Sequence, residues 1–208
     1  MPSSRIVIAV ALVCCLVLTA CGARRPIRGQ STTGLDRKLT TFSWIEDGDL
    51  VTFIVGTRAA RYREASAYMP LEISIANRGV KKKLTLTHES FTLIDSEGNR
   101  YPVATPRELL EDYEFLDFDR QNLTELEGIV ADKFAAFTRY TSRFTPTRAA
   151  DVNRSNLVRN LVALPRYGYV VDMIYFPKPK TGIKDQTFEL FLDSPDLQDP
   201  VFVKFEVR

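Results

Sequence analysis

The sequence predicts a mainly β protein: an antiparallel β-sandwich of about seven or eight strands that is interrupted by a helical insertion. Three observations predict this fold class. Apolar and polar residues alternate in many short segments, Gly, Pro, Asn and Asp residues separate those segments, and residues 105–164 instead show helical spacing. The chain of 208 residues is long enough to bury the core of a single domain.

Alternation is clearest in residues 68–77. One face of this predicted strand carries Leu71, Ile73 and Ile75, and the other carries Glu72, Ser74 and Ala76. The turn-forming residues Asp95–Asn99 predict a hairpin loop between residues 91–95 and 100–104. Residues 50–58 and a segment near Trp44 predict further strands.

Three more strands are predicted in the C-terminal third of the chain, in residues 167–177, 186–192 and 200–208. Each is short and rich in β-branched and aromatic residues, and Pro-containing breaks separate them.

The insertion is predicted to begin with a helix near Thr105. Thr105 is a capping residue, Pro106 suits the first helical position, and Glu108 completes a capping box. A second amphipathic helix is predicted from a three-four spacing of mostly apolar residues: Leu123, Leu126, Val130, Phe134, Phe137, Thr141 and Phe144. Residues 155–164 predict either a third short helix or a strand, and their periodicity does not decide between them.

The residues that end these strands and form their turns resemble those of a known family. Asn77 and Gly79 follow a core strand, Leu93–Tyr101 has the spacing of a hairpin, and Phe176 and Pro177 close a later strand. This order resembles the immunoglobulin-like domain found in bacterial lipoproteins and secreted antigens of mostly uncharacterised function. The resemblance implies an immunoglobulin-like sandwich over residues 41–208, with the helical insertion at about 105–164. It indicates a fold more than a function.

The N-terminus has the features of a signal peptide. The apolar run Ile6–Leu18 rises only about 20 Å as a helix, against roughly 30 Å for a membrane core. The tetrapeptide Leu18–Cys21 resembles the lipobox of bacterial lipoproteins. That resemblance implies cleavage of residues 1–20 and attachment of a diacylglycerol to Cys21. The alternative is an ordinary secretory signal with a chance cysteine.

Composition limits the classes of partner and site. Of the 28 basic residues only Arg5 lies in residues 1–20, so 27 basic and 26 acidic residues would remain after cleavage. This balance gives no argument for nucleic-acid binding. Cys14 and Cys15 would leave with the signal peptide and Cys21 would carry lipid, which leaves no disulfide and no thiolate metal site.

Residues 21–40 are polar and turn-rich, and they predict a flexible tether with a reach of roughly 25 Å. Its basic residues could contact anionic lipid, or could simply be a solvated linker. Gly22 follows the predicted lipidation site. In lipoproteins of bacteria with two membranes an Asp at this position commonly retains the protein at the inner membrane, so Gly22 favours the outer membrane.

No catalytic motif or cofactor site is visible. His88 is the only histidine, and we interpret it as a residue at an exposed turn or strand edge. The D-x-D pair Asp117 and Asp119 lacks the other ligands of a calcium loop, so we interpret it as part of a solvated acidic helix face.

The insertion is strongly asymmetric in charge. Residues 108–127 carry eight acidic residues and one Arg, whereas residues 133–166 carry seven basic residues and one Asp. The two halves either neutralise each other or present a basic surface to an envelope protein or anionic glycolipid. Phe115 and Phe118 lie off the apolar stripe, which indicates an exposed patch or a helix end near Glu114. The predicted partner surface consists of Phe115, Phe118, Arg139, Arg143 and Arg148.

Together these patterns predict a lipid-anchored cell-envelope protein that acts as a non-catalytic binding or assembly module. Its partners would be the membrane, through the lipid, and an envelope protein or an anionic glycolipid. The alternatives are a carboxylate-dependent hydrolase of envelope polysaccharide and a purely structural lipoprotein. The oligomeric state is left open by the sequence.

Overall fold

A computed structural model describes residues 37–142, 144–146 and 161–208. This part of the chain is mainly β, with several antiparallel sheets and a smaller helical component. Its strands are β1 Ser43–Asp47, β2 Val51–Gly56, β3 Tyr68–Asn77, β4 Lys83–Thr87, β5 Phe91–Asp95, β6 Arg100–Pro102, β7 Thr138–Arg139, β8 Leu161–Pro165, β9 Gly168–Pro177, β10 Gln186–Leu192 and β11 Val201–Val207. Its helices are α1 Arg58–Arg61, α2 Pro106–Asp112, α3 Leu116–Asn122 and α4 Leu126–Lys133.

The strands form two larger sheets and one ribbon. The first sheet has the order β1-β2-β3-β9-β7, the second has the order β11-β10-β5-β6, and β4 pairs with β8. The pairs are antiparallel, as predicted, except that β7 runs parallel to β9 over Thr138 and Arg139. Residues 155–164 were predicted to form a helix or a strand, and the described part, from Leu161, belongs to strand β8. Residues 155–160 lie outside the described residues.

The two larger sheets pack face to face around one apolar core. Strands β5, β10 and β11 bury alternate residues, as period-two strands with one solvated face do. Trp44 of the first sheet contacts Phe205 of the second, and Phe53 contacts Phe91 in the same way. Burial of these side chains is the main stabilising contribution to the fold.

The predicted hairpin between β5 and β6 is confirmed. Asp95 accepts hydrogen bonds from the main-chain N–H groups of Glu97 and Asn99, which shapes the loop. Gly98 has a φ of +84°, a conformation that a residue with a Cβ rarely adopts.

The helices cover the outer face of the first sheet. Strand β3 is therefore buried on both faces, although its sequence alternates. Two apolar clusters form beneath the helices. One joins α2 and α3 to Tyr68, Met173 and Tyr175, and the other joins α4 to Ile54, Ala76 and Tyr169. Helices α2, α3 and α4 thus form a third layer on the two sheets.

The predicted capping box of α2 is confirmed. Thr105 accepts a hydrogen bond from the Glu108 N–H, and the Glu108 carboxylate accepts one from the Thr105 N–H. Pro106 occupies the first turn, where a missing N–H costs little.

The second predicted helix is shorter than its spacing indicates. Helix α4 ends at Lys133, and Phe134–Phe137 forms a turn. The chain then becomes extended, because main-chain bonds to β9 replace the helical ones: the Tyr140 N–H donates to the Tyr169 carbonyl. Phe144, predicted on the helix face, instead lies in the core between the sheets. The residues of this three-four pattern therefore lie in two different environments, the outer face of the first sheet and the core between the sheets.

Gly128 is the weak point of α4, and its replacement by alanine is expected to stabilise the protein. A Cβ at Gly128 would meet no atom within 4 Å. Gly128→Ala should therefore raise the free energy of unfolding by about 0.5–1 kcal/mol, measured by urea denaturation. Gly98→Ala is the matched control and should lower it, since its positive φ strains a side chain. A loss of stability in Gly128→Ala would contradict the helical role given to this residue.

Candidate functional site

A buried charge cluster lies under the start of α3. Arg63 follows α1, and its Nε lies 2.8 Å from Asp119 Oδ1. The Tyr113 hydroxyl donates to the other oxygen, Oδ2. Burial raises the pKa of Asp119, and the hydrogen bonds from Arg63 and Tyr113 act in the opposite direction. The interpretation of Asp119 as part of a solvated acidic face is wrong, because Asp119 is fully buried and paired.

Phe115 and Phe118 lie over this cluster on the protein surface. The Arg63 guanidinium is 4.2 Å from the centre of the Phe115 ring and 5.4 Å from that of Phe118. The rings are 39% and 53% exposed, respectively. Both alternatives for this pair hold: α2 ends at Asp112, and the two rings are exposed. Arg63 fixes the rings from below while their outer faces stay accessible.

Acidic side chains lie beside Phe115. Glu111, Asp112 and Glu114 are exposed, and they line a groove of about 430 Å³ together with Phe115 and residues 65–67. Arg107 pairs with Glu111 on the outer side of α2. We call Phe115, Phe118, Glu111, Asp112 and Glu114 the aromatic–acidic surface.

The other residues of the predicted partner surface do not belong to this patch. Arg139 lies in β7 and forms an exposed ion pair with Glu127 of α4, which joins the acidic and basic halves of the insertion. Arg143 and Arg148 lie outside the described residues, as do Cys21 and the signal peptide.

A second feature is a pocket of about 250 Å³ at the edge of the first sheet. It lies between β9, the extended segment after β7, and helices α3 and α4. The lining residues are Glu72, Arg120, Thr124, Glu127, Arg139, Tyr140, Thr141, Ser142, Val171, Asp172 and Met173.

Glu72 is the most unusual residue of this pocket. Its Oε2 accepts hydrogen bonds from the main-chain N–H groups of Glu125, at 2.7 Å, and Leu126, at 3.0 Å, where α4 begins. Its Oε1 has no hydrogen-bond partner, and the residue is only 2% exposed. Burial, as the largest cause, raises the pKa of Glu72 to about 7, against the effect of the two hydrogen bonds. Gly56, paired with Glu72 across the sheet, leaves the space that this carboxyl needs.

Asp172 supports the pocket wall from the sheet side. Its Oδ2 accepts the Phe144 N–H at 2.8 Å, and its Oδ1 accepts the Met173 N–H at 2.8 Å. Burial raises the pKa of Asp172, whereas these bonds and the charge of Arg120 lower it. Asp172 thus holds the segment after β7 against β9.

The sequence did not identify Glu72 or Asp119 as special. Glu72 was assigned to the polar face of a strand, and Asp119 to an acidic run. One signal was present for Glu72: it is the only charged residue in 68–77, whose remaining polar-face residues are small or uncharged. A solvated strand face usually carries more charge.

His88 lies at a strand end, as predicted, but it is half-buried rather than exposed. Its ring contacts the Phe144 ring edge, and its Nε2 is hydrogen bonded to the Phe144 carbonyl. This histidine therefore helps to fix Phe144 in the core.

The buried Glu72 carboxyl is expected to make stability depend on pH. Because its pKa is raised from 4.5 to about 7 on folding, the folded state binds more protons in that window. The stabilising contribution is complete below about pH 4.5 and is lost as the pH rises through about 7. The free energy of unfolding of Glu72→Gln minus that of the wild type should therefore be roughly 2–4 kcal/mol larger at about pH 8 than at about pH 5.

Urea denaturation of the two proteins at both pH values measures this difference. The exposed Glu114→Gln serves as the control and should follow the wild type at both. If the stability difference between Glu72→Gln and the wild type is the same at both pH values, the raised pKa is wrong.

No helix within the described residues is long and apolar enough to cross a membrane. In the same part of the chain, no group of three or more His, Cys, Asp or Glu side chains is placed to hold a metal ion. No family model, curated protein or solved structure matches the chain.

Proposed function

We propose that this chain is a lipid-anchored cell-envelope protein that acts as a non-catalytic binding module through its aromatic–acidic surface. The observation that carries the proposal is the pair of exposed rings, Phe115 and Phe118, stacked on the buried Arg63–Asp119 pair. Exposed aromatic side chains on a rigid support are typical of the residues that dominate protein interfaces. Their order in the free protein lowers the entropy lost on binding.

The charge around the rings favours one class of partner. Glu111, Asp112 and Glu114 would repel an anionic glycolipid and attract a basic segment. The proposed partner is therefore an envelope protein that presents an apolar side chain flanked by Lys or Arg.

The proposed anchor rests on the sequence alone. Leu18–Cys21 has the lipobox pattern, and acylation of Cys21 with two or three chains would hold the protein stably at a membrane. Gly22 favours the outer membrane, and residues 21–40 would set the reach of the domain.

We propose further that the two packed sheets are an immunoglobulin-like sandwich with the helices as an insertion. The shared core and the β5–β6 hairpin support this assignment. The helices would then carry the binding surface, and the sandwich would support it.

The hydrolase alternative has weaker support. A carboxylate-dependent hydrolase needs two carboxyl groups about 5–10 Å apart on either side of one bond. Glu72 and Asp172 line one pocket, but Glu72 pairs with Met173 and Ile73 pairs with Asp172. Adjacent residues point to opposite faces of a sheet, so the two carboxyl groups do not face one substrate across the sheet.

Photo-crosslinking in cells tests the binding surface. A photoreactive amino acid in place of Phe118 should give adducts with an envelope protein, and Glu114→Lys in the same chain should reduce them several-fold. Leu161 is the matched control position, because it is also exposed but lies on β8. Adducts only with glycolipid, or only with a second copy of this chain, would overturn the proposal, as would equal labelling from position 161.

Intact-mass spectrometry tests the anchor. The membrane-extracted protein should begin at Cys21 and carry a diacylglycerol, and Cys21→Ser should be released from the membrane without it. An unlipidated wild-type chain that is released freely would contradict the anchored function.

A further inference from the structure

The pocket beside α4 contains a buried acceptor that the protein does not satisfy. Glu72 Oε2 is fully used by two main-chain donors, whereas Oε1 has no partner. A carboxylate oxygen that is buried and unpaired costs free energy, and a ligand donor can recover it. This oxygen is itself buried, and it belongs to a residue that lines the pocket.

The charges around Glu72 favour a cationic donor. The residues that line the pocket include Glu72 and Glu127 and the two arginines Arg120 and Arg139. The two hydrogen bonds to Glu72 come from neutral main-chain N–H groups, so an ionised Glu72 has no ion pair among the described residues.

Both guanidinium groups already have acceptors. Arg139 pairs with Glu127. Arg120 donates to the carbonyls of Thr145, at 3.3 Å, and Pro146, at 3.4 Å. Neither guanidinium group therefore forms an ion pair with Glu72.

From this geometry we infer that the pocket binds a small primary ammonium compound, whose N–H group donates to Glu72 Oε1. A primary ammonium has three donors, and the hydroxyl groups of Thr124, Thr141 and Ser142 line the same space as further acceptors. The volume of about 250 Å³ is below the usual range for drug-sized ligands, which limits the ligand to a compact amine. This site is separate from the aromatic–acidic surface and does not depend on it.

Binding of a cation must be linked to the ionisation of Glu72. The charged groups around it are Glu125, which precedes α4, Glu127 of α4, Arg120 of α3 and Arg139 of β7, whereas Asp172 of β9 points to the opposite face of the sheet. An ammonium ion favours the ionised carboxylate, so affinity should rise with pH, and binding near neutral pH should release part of a proton.

Isothermal titration calorimetry with ethylammonium chloride tests the inference at constant ionic strength. The wild type should bind ethylammonium at about pH 8 and more weakly at about pH 6, with proton release near pH 7 measured in buffers of different ionisation enthalpy. Tetramethylammonium chloride has the same charge and no N–H donor, so it should not bind.

Two variants identify the acceptor. Glu72→Gln retains a carbonyl oxygen for the Glu125 and Leu126 N–H groups but removes the charge, and it should weaken ethylammonium binding about tenfold or more. Glu114→Gln removes an acidic side chain outside this pocket and should bind ethylammonium like the wild type. Failure of the wild type to bind ethylammonium, equal binding of tetramethylammonium, or unchanged binding by Glu72→Gln would each overturn the inference. Proton release by the wild type decides the question even if Glu72→Gln does not fold.

Discussion

Asp119→Ala is expected to lower the free energy of unfolding by about 3–5 kcal/mol. The substitution leaves the Arg63 guanidinium, whose side chain is only 13% exposed, without its counter-ion. It also removes the acceptor of the buried Tyr113 hydroxyl. Removing one partner of a buried pair costs far more than removing an exposed pair, because the remaining charge stays desolvated. Chemical denaturation of the purified domain measures the loss.

Glu111→Ala is the matched control for this prediction. Glu111 belongs to the neighbouring helix and pairs with Arg107 in an exposed i,i+4 geometry. Its loss should cost at most about 0.5 kcal/mol. Similar costs for the two substitutions would show that the Arg63–Asp119 pair does not support the fold. Asp119→Ala should also reduce crosslinking from position 118, since the support of the two rings is lost.

Phe91→Ala is expected to have a similarly large effect, about 3–5 kcal/mol, for a different reason. Phe91 is 1% exposed and begins β5 of the second sheet. Its ring lies 6.4 Å from that of Phe53 in the first sheet and 5.6 Å from that of Phe144 in the segment after β7. Truncation creates a cavity where three parts of the chain meet, and a rigid core fills it only partly.

Phe202→Ala separates burial from the loss of an aromatic contact. Phe202 lies on the outer face of the second sheet, is half-buried, and stacks on Phe191 with ring centres 4.9 Å apart. Its truncation should cost only about 1 kcal/mol, since no internal cavity forms. Thermal and urea unfolding of both variants measure the difference. A cost for Phe202→Ala as large as that for Phe91→Ala would argue against a core shared by the two sheets.

Local signals predicted the elements whose stabilising contacts lie close in sequence. The Asp95–Asn99 hairpin is specified by Asp95 and Gly98 themselves, and the start of α2 by the reciprocal bonds of Thr105 and Glu108. These interactions span three or four residues, so the pattern contains all of their partners.

The second helix shows where such patterns fail. The three-four spacing runs from Leu123 to Phe144, but the helix covers only Leu126–Lys133, and Leu123 lies at the end of α3. Phe134 contacts Tyr169 on the outer face of the first sheet, whereas Phe144 contacts Phe91 between the sheets. One regular spacing thus served two separate cores, and a linear pattern does not distinguish them.

By itself, the sequence determined that the described chain is mainly β, that Asp95–Asn99 forms a hairpin loop, and that the first helix of the insertion begins after Thr105. The tertiary structure alone decided which polar residues are buried. Glu72 became a buried carboxyl because α4 covers the outer face of β3, and Asp119 became the partner of Arg63 because α3 packs beside α1. The main-chain donors to Glu72, and the Arg63 partner of Asp119, lie more than 50 residues away in the chain. Burial depends on such contacts between distant residues, so both candidate sites can be identified only from the tertiary structure.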